Sequence, residues 1–149
     1  MEIERKFLIS KVPNLENIEK KEITQGYISA KPEIRIRKCE EKCYITKKSV
    51  GTLEREELET EINNTTYEIL KSIVKGRIIH KTRYLIKDEQ KLLELDLYHK
   101  ELEGLCTVEI EFSSIEEAND YKVPSWFGEE ITENINYKNR ILSKVEENI

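Results

Sequence analysis

A chain of 149 residues with 38% hydrophobic content is long enough to bury a core, and reads as one domain over residues 1–149. Charged residues reach 37%, against roughly 25% in an average domain, and the net charge of −5 argues against a general nucleic-acid binder while leaving room for a local basic pocket. No stretch approaches the ~20 apolar residues of a membrane span and the N-terminus has no apolar signal-peptide core, so a cytoplasmic protein with neither nucleic-acid nor membrane partners is expected.

Residues 1–10 alternate apolar and charged side chains, the mark of a strand. Residues 14–21 suggest a short helix with Leu15 and Ile18 on one side. Strands follow at 22–30, 35–39 and 42–49, with a hairpin turn at Glu40-Glu41, and a fifth strand covers 55–63. The period then changes to about 3.6. Asn64-Thr65-Thr66 caps a helix to Lys75 that carries Tyr67, Leu70, Ile73 and Val74 on its apolar side, with Gly76 as a stop. Further strands lie near 78–87, 91–98 and 104–113. Ser114-Ile115-Glu116-Glu117 is a capping-box start for a helix through Tyr121, and a last helix from Asn136 to Glu147 presents Ile141, Leu142 and Val145.

The strands share an unusual charge pattern. Glu2, Glu4 and Lys6 fall on one face of the first, opposite Ile3 and Phe7. Arg35 and Arg37 oppose Ile34 and Ile36; Glu57, Glu59 and Glu61 share a face; Lys81 and Arg83 share another. Glu94 and Asp96 oppose three leucines, and Glu109 and Glu111 oppose Val108, Ile110 and Phe112. Like charges at i, i+2 repel, so a chain that repeats them neutralises them with something else.

Eight strand candidates joined as meanders argue for an α+β protein, an antiparallel β-barrel closed or nearly closed, with helices packed outside. Apolar faces turned inward would leave the helices with only charge to cover and their own apolar stripes in water. Charged faces turned inward solve both problems and create a polar tunnel. So many charges are too costly to bury without ligands. Carboxylates are natural ligands of hard divalent cations, and Arg and Lys are natural partners of phosphate, so the lumen reads as a metal–polyphosphate site.

Cys39, Cys43 and Cys106 are read as reduced thiols, since neither His80 nor His99 stands at the spacing that would complete a zinc site. Neither histidine falls in an acid–base constellation legible in the sequence.

In order along the chain, Glu2-x-Glu4-x-Lys6, Arg35-x-Arg37, Tyr44-Ile45-Thr46-Lys47-Lys48, Glu57-x-Glu59-x-Glu61, Lys81-x-Arg83, Glu94-x-Asp96, Glu109-x-Glu111 and Pro124-Ser125-Trp126 resemble the signature of the CYTH superfamily, the triphosphate tunnel metalloenzymes. The opening Glu-Ile-Glu-Arg-Lys-Phe most resembles the bacterial inorganic tripolyphosphatase group. The resemblance implies metal-dependent hydrolysis of the terminal phosphate of inorganic triphosphate, with two divalent ions, Mg²⁺ or Mn²⁺. It implies that Lys6, Arg35, Arg37, Lys48, Lys81 and Arg83 bind substrate, with Lys48 preferred over Lys47 because it shares a face with Tyr44 and Thr46. Glu109 and Glu111 would hold one metal; Glu2 and Glu4, with Glu57, Glu59 or Glu61, a second that supplies the attacking water. Asp96 matches a carboxylate near the metals, while Glu94 is left between a metal role and an arginine pair. Glu2, Glu4 and Lys6 are the expected catalytic residues. Arg5 alternates outward to a surface ion pair, and Trp126 reads as a lid or core anchor.

A class IV adenylate cyclase or a nucleoside or thiamine triphosphatase is the alternative enzyme, although no aromatic or Asn/Gln cluster assigns a base pocket. A non-catalytic polyphosphate-binding sensor is the alternative from another class. The sequence leaves a monomer or homodimer open.

Overall fold

The structure is a computed structural model that describes residues 2–49 and 54–144. Nine strand segments form one antiparallel sheet: β1 (Glu2–Leu8), β2 (Glu19–Ala30), β3 (Glu33–Cys39), β4 (Lys42–Lys48), β5 (Glu54–Arg55), β6 (Glu57–Ile62), β7 (Lys75–Asp88), β8 (Lys91–Tyr98) and β9 (Cys106–Glu111). Their order across the sheet is β5-β1-β9-β8-β7-β2-β3-β4-β6. The expected fifth strand is split at Glu56, whose N–H donates to Ser49 Oγ at 2.8 Å and whose carbonyl accepts from Ser49 N at 3.0 Å. Counted as one, β5 and β6 complete the expected eight strands.

The sheet is a curled half-barrel, open where closure was considered. The reason lies along β1. Its outer edge pairs with β5 only at Glu2 and Ile3. From Lys6 to Leu8 that edge is taken by the segment 128–131 instead: Leu8 N donates to Glu129 O, Gly128 N to Leu8 O and Ile131 N to Lys6 O, each at 2.8 Å. Gly128 is required here, because a Cβ would lie 2.6 Å from the Leu8 carbonyl oxygen. Arg5 anchors the segment, placing Nε 2.8 Å and Nη2 2.6 Å from the two Glu130 carboxylate oxygens.

The inside-out arrangement holds. On the outer faces of β1, β8 and β9, Ile3, Phe7, Leu93, Leu95, Val108 and Ile110 form a core with Phe112 and Ala118. It is covered by α2 (Ile115–Asp120) and by Trp126 and Phe127, whose rings pack edge-on at 4.7 Å, so Trp126 is a core anchor. A second cluster of Ile36, Cys43 and Tyr67 lies under α1 (Asn64–Lys71) with Leu70 and Val74 beside it. Burial of these faces supplies the hydrophobic stabilisation that the charged interior cannot.

Several boundaries differ from expectation. Residues 14–18 make a turn in place of a helix: Glu16 N donates to Asn14 Oδ1 at 2.9 Å and Asn17 takes φ 61°, while β2 already begins at Glu19. The cap of α1 is Asn63, which accepts from Thr66 N; the helix ends at Lys71, and Gly76 lies within β7. Ser114 caps α2 by accepting from Glu117 N, as the capping box requires. The last helix, α3, covers only Asn139–Leu142 after a 3-10 turn at Ile135–Tyr137; Val145 and the rest of the expected helix lie outside the described residues.

Candidate active site

The concave face of the sheet encloses a cavity of about 200 Å³. Glu2, Glu4 and Lys6 of β1, Arg35 and Arg37 of β3, Lys48 of β4, Glu57 and Glu59 of β6, Arg83 of β7, Glu94 of β8, and Glu109 and Glu111 of β9 all line it. Period-two alternation places them there, and the β4 register settles the lysine: Lys48 pairs with both Glu33 and Glu57 and is buried, while Lys47 is exposed. Three expected residues do not line the cavity. Glu61 is exposed near the end of β6, and Lys81 and Asp96 lie buried in the wall.

Asp96, expected among the metal ligands, is paired with two cations in the cavity wall. Its Oδ1 accepts from Arg83 Nε at 2.8 Å and its Oδ2 from Arg83 Nη2 at 3.0 Å, with Lys81 Nζ 2.8 Å from Oδ2. Burial would raise its carboxyl, but Arg83 and Lys81 outweigh burial and hold it far below the usual range. Burial also pushes the Lys81 ammonium down to about 7, Asp96 partly opposing. Asp96 therefore fixes the Arg83 guanidinium, whose Nη1 reaches Glu94 at 3.4 Å.

The acids form two groups. Lys48 Nζ lies 3.1 Å from Glu57 and 3.4 Å from Glu2, and its attraction outweighs burial to lower the Glu57 carboxyl. Deeper in, burial and the neighbouring charges of Glu109 and Glu2 push the Glu4 carboxyl well above its ordinary range. Glu109 is held down to about 2, burial being outweighed by Lys6 and Arg83. Glu4 and Glu109 are thus crowded acids within hydrogen-bonding reach of each other, a pair that a divalent cation would suit. The donors are all carboxylate oxygens, which fits a hard ion. Among the described residues no three acidic, His or Cys side chains converge closely enough to hold an ion alone. An ion here would complete its shell with phosphate oxygens and water, the habit of Mg²⁺.

The bases occupy the rest of the wall. Arg35 Nη2 is 3.8 Å from Glu59, Lys6 Nζ donates to the Tyr137 carbonyl at 2.8 Å, and Arg37 Nε donates to Gln25 Oε1 at 3.3 Å. Sequence reasoning missed Tyr27, Glu33, Ile131, Thr132, Lys138 and Arg140, which also line the cavity, and gave no role to Tyr137 and Asn139, which line it as well. Tyr27 was findable from alternation on β2. The C-terminal residues were not, because no strand period carries them; Arg140 enters beside Glu33 at 3.6 Å and Asn139 accepts from Tyr98 Oη at 2.7 Å.

Outside the cavity, His99 Nε2 lies 2.7 Å from Thr82 Oγ1, which donates to Glu22 at 2.8 Å, a chain on the outer face that the sequence did not reveal. The three cysteines are free thiols. No helix among the described residues is long and apolar enough to cross a membrane.

The chain is 40% identical over 146 residues to an inorganic triphosphatase of Nitrosomonas europaea, covering 95% of this chain and 96% of that protein. It is 34% identical over 147 residues to an inorganic triphosphatase of Acetivibrio thermocellus, covering 96% and 93%. A crystal structure of an inorganic triphosphatase superposes with a TM-score of 0.73 at 36% identity, covering 99% of this chain and 97% of that one. The CYTH domain model matches residues 1–143. An alternating acid–base lumen, helices on the outside and a family match of this extent agree, and the chain belongs to the CYTH family.

Proposed function

We propose that this chain is a metal-dependent inorganic triphosphatase, a single tunnel domain that hydrolyses the terminal phosphate of inorganic triphosphate. The observation that carries the reading is the coexistence, in one cavity of about 200 Å³, of acid pairs and a wall of Arg and Lys. The names of the relatives point the same way. The cavity is smaller than the roughly 300–1,000 Å³ of typical sites for drug-sized ligands, which favours a compact anion over a nucleotide.

In this reading Arg35, Arg37, Lys48, Arg83 and Lys6 draw the phosphate chain into line and spread its charge, leaving the terminal phosphorus open to in-line attack by water. Lys81 and Asp96 support the clamp from behind Arg83. Glu4, Glu109 and Glu111 would hold one divalent ion, and Glu2 with Glu57 and Glu59 a second, Mg²⁺ or Mn²⁺. Such ions supply charge neutralisation of the phosphate oxygens and a water of lowered pKa. A cation held beside Glu4 would offset the neighbouring charges of Glu109 and Glu2 that, with burial, raise its carboxyl. The protein acts in the cytoplasm on a small-molecule substrate.

Phosphate release from tripolyphosphate, ATP and thiamine triphosphate, each with Mg²⁺, Mn²⁺ or chelator, tests the proposal. Metal-dependent release from tripolyphosphate with little from ATP is expected. Equal release from ATP would shift the reading to a nucleoside triphosphatase. Binding of tripolyphosphate without release from any substrate would leave a sensor or a cyclase.

A further inference from the structure

Arg37 differs from the other cations of the cavity. Lys48 lies between Glu2 and Glu57, Arg83 is held by Asp96, Arg35 faces Glu59, and Lys6 is bound to a carbonyl. Arg37 has no carboxylate within 4.0 Å among the described residues. Its one hydrogen bond runs from Nε to Gln25 Oε1 at 3.3 Å. Burial, with Arg35 and Arg83 nearby, brings Arg37 down to about 10, so it stays charged at neutral pH.

Gln25 sits on β2 directly opposite Arg37 on β3 and is 0% exposed. A guanidinium only donates, so the amide oxygen must face it, and this sets the orientation of the amide. Gln25 Nε2 is left buried with no partner among the described residues. A buried donor without an acceptor destabilises the fold, and an apolar side chain of the same size would fill the space without that cost. A carboxylate at this position would hold Arg37 more strongly but would cancel its charge and repel phosphate. A neutral acceptor orients the guanidinium and leaves its charge intact.

We infer that Gln25 is a positioning residue for substrate: its amide oxygen fixes Arg37 through Nε, so that Nη1 and Nη2 are held for a phosphate oxygen. The inference rests on the phosphate-clamp reading above. Titration calorimetry of inorganic tripolyphosphate in the presence of chelator reads binding without turnover. Gln25→Met is expected to weaken binding about 10-fold, the effect of one charge-assisted hydrogen bond, and Arg37→Met to weaken it further. The double variant should bind no more weakly than Arg37→Met alone, because Gln25 acts only through Arg37. Gln25→Glu, measured alongside in case the Met variant does not fold, should also weaken binding by pairing with Arg37. Wild-type affinity in either folded variant would overturn the inference, as would a Gln25→Met loss that persists in full when Arg37 is absent. A wild-type chain that does not bind tripolyphosphate would refute the phosphate clamp itself and this inference with it.

Discussion

Asp96→Asn removes one charge from a place where two buried cations depend on it. Asp96 is 1% exposed, Lys81 is 0% exposed at the side chain, and the three contacts lie between 2.8 and 3.0 Å. Removing one partner from a buried ion pair costs about 3–5 kcal/mol. Two features bring the expected loss to the lower end. Asn still accepts one hydrogen bond from Arg83, and Lys81, already down to about 7, escapes the uncompensated charge by losing its proton. The expected loss at pH 8 is therefore about 3 kcal/mol, or roughly 6–12 °C in Tm for a chain of this length. At pH 6 the loss is larger. A lysine whose folded pKa is lowered makes stability rise with pH between its folded and unfolded values, and in the variant the folded value falls below 7, so the gap to wild type narrows as pH rises. On the acid side the depressed Asp96 carboxyl gives wild type a contribution that is present above about pH 4 and lost as pH falls; the variant lacks that limb. Urea unfolding followed by circular dichroism at pH 4, 6 and 8 measures all three. A loss under about 1 kcal/mol, or one that grows between pH 6 and 8, would refute the account of the Lys81–Asp96–Arg83 cluster.

Three further outcomes are expected. Glu4→Gln should abolish phosphate release while leaving tripolyphosphate binding within a few-fold of wild type, because it removes a metal-side oxygen and spares the bases; phosphate-release assays and calorimetry in chelator separate the two. Burial and the neighbouring charges of Glu109 and Glu2 raise the Glu4 carboxyl, so its contribution to stability falls as pH climbs from the ordinary carboxylate value through the raised one. Mn²⁺ or Mg²⁺ should therefore raise Tm more at pH 8 than at pH 5, with proton release on binding seen by calorimetry in buffers of different ionisation enthalpy. Gly128→Ala puts a methyl 2.6 Å from the Leu8 carbonyl oxygen. It should destabilise by about 1–3 kcal/mol and speed proteolysis within residues 128–134, checked by denaturation and limited digestion.

Most of the cavity wall was legible because strand side chains alternate strictly, so Arg35 and Arg37, Glu109 and Glu111, or Lys48 over Lys47, follow once the strand is recognised. The turn at residues 14–18 was not, because Leu15 and Ile18 fit a helical face equally well and the left-handed Asn17 leaves no apolar signal. Asp96 shows the sharper limit. Its place in the acid pattern marked it as an inward carboxylate, but whether such a group meets a metal or an arginine depends on its neighbours on the adjoining strand, and Arg83, directly opposite on β7, and Lys81 take both of its oxygens.

What the sequence by itself determined is the inverted architecture: acid and base pairs at period two on strands, with apolar stripes on helices, leave no other way to bury the one and wet the other. Only the tertiary structure decided that the sheet stays open, that residues 128–131 take the free edge of β1, and that residues 137–140 enter the cavity. Those are contacts between segments from 41 to more than 100 residues apart in the chain, set by packing and by single hydrogen bonds, and no local pattern of side chains encodes them.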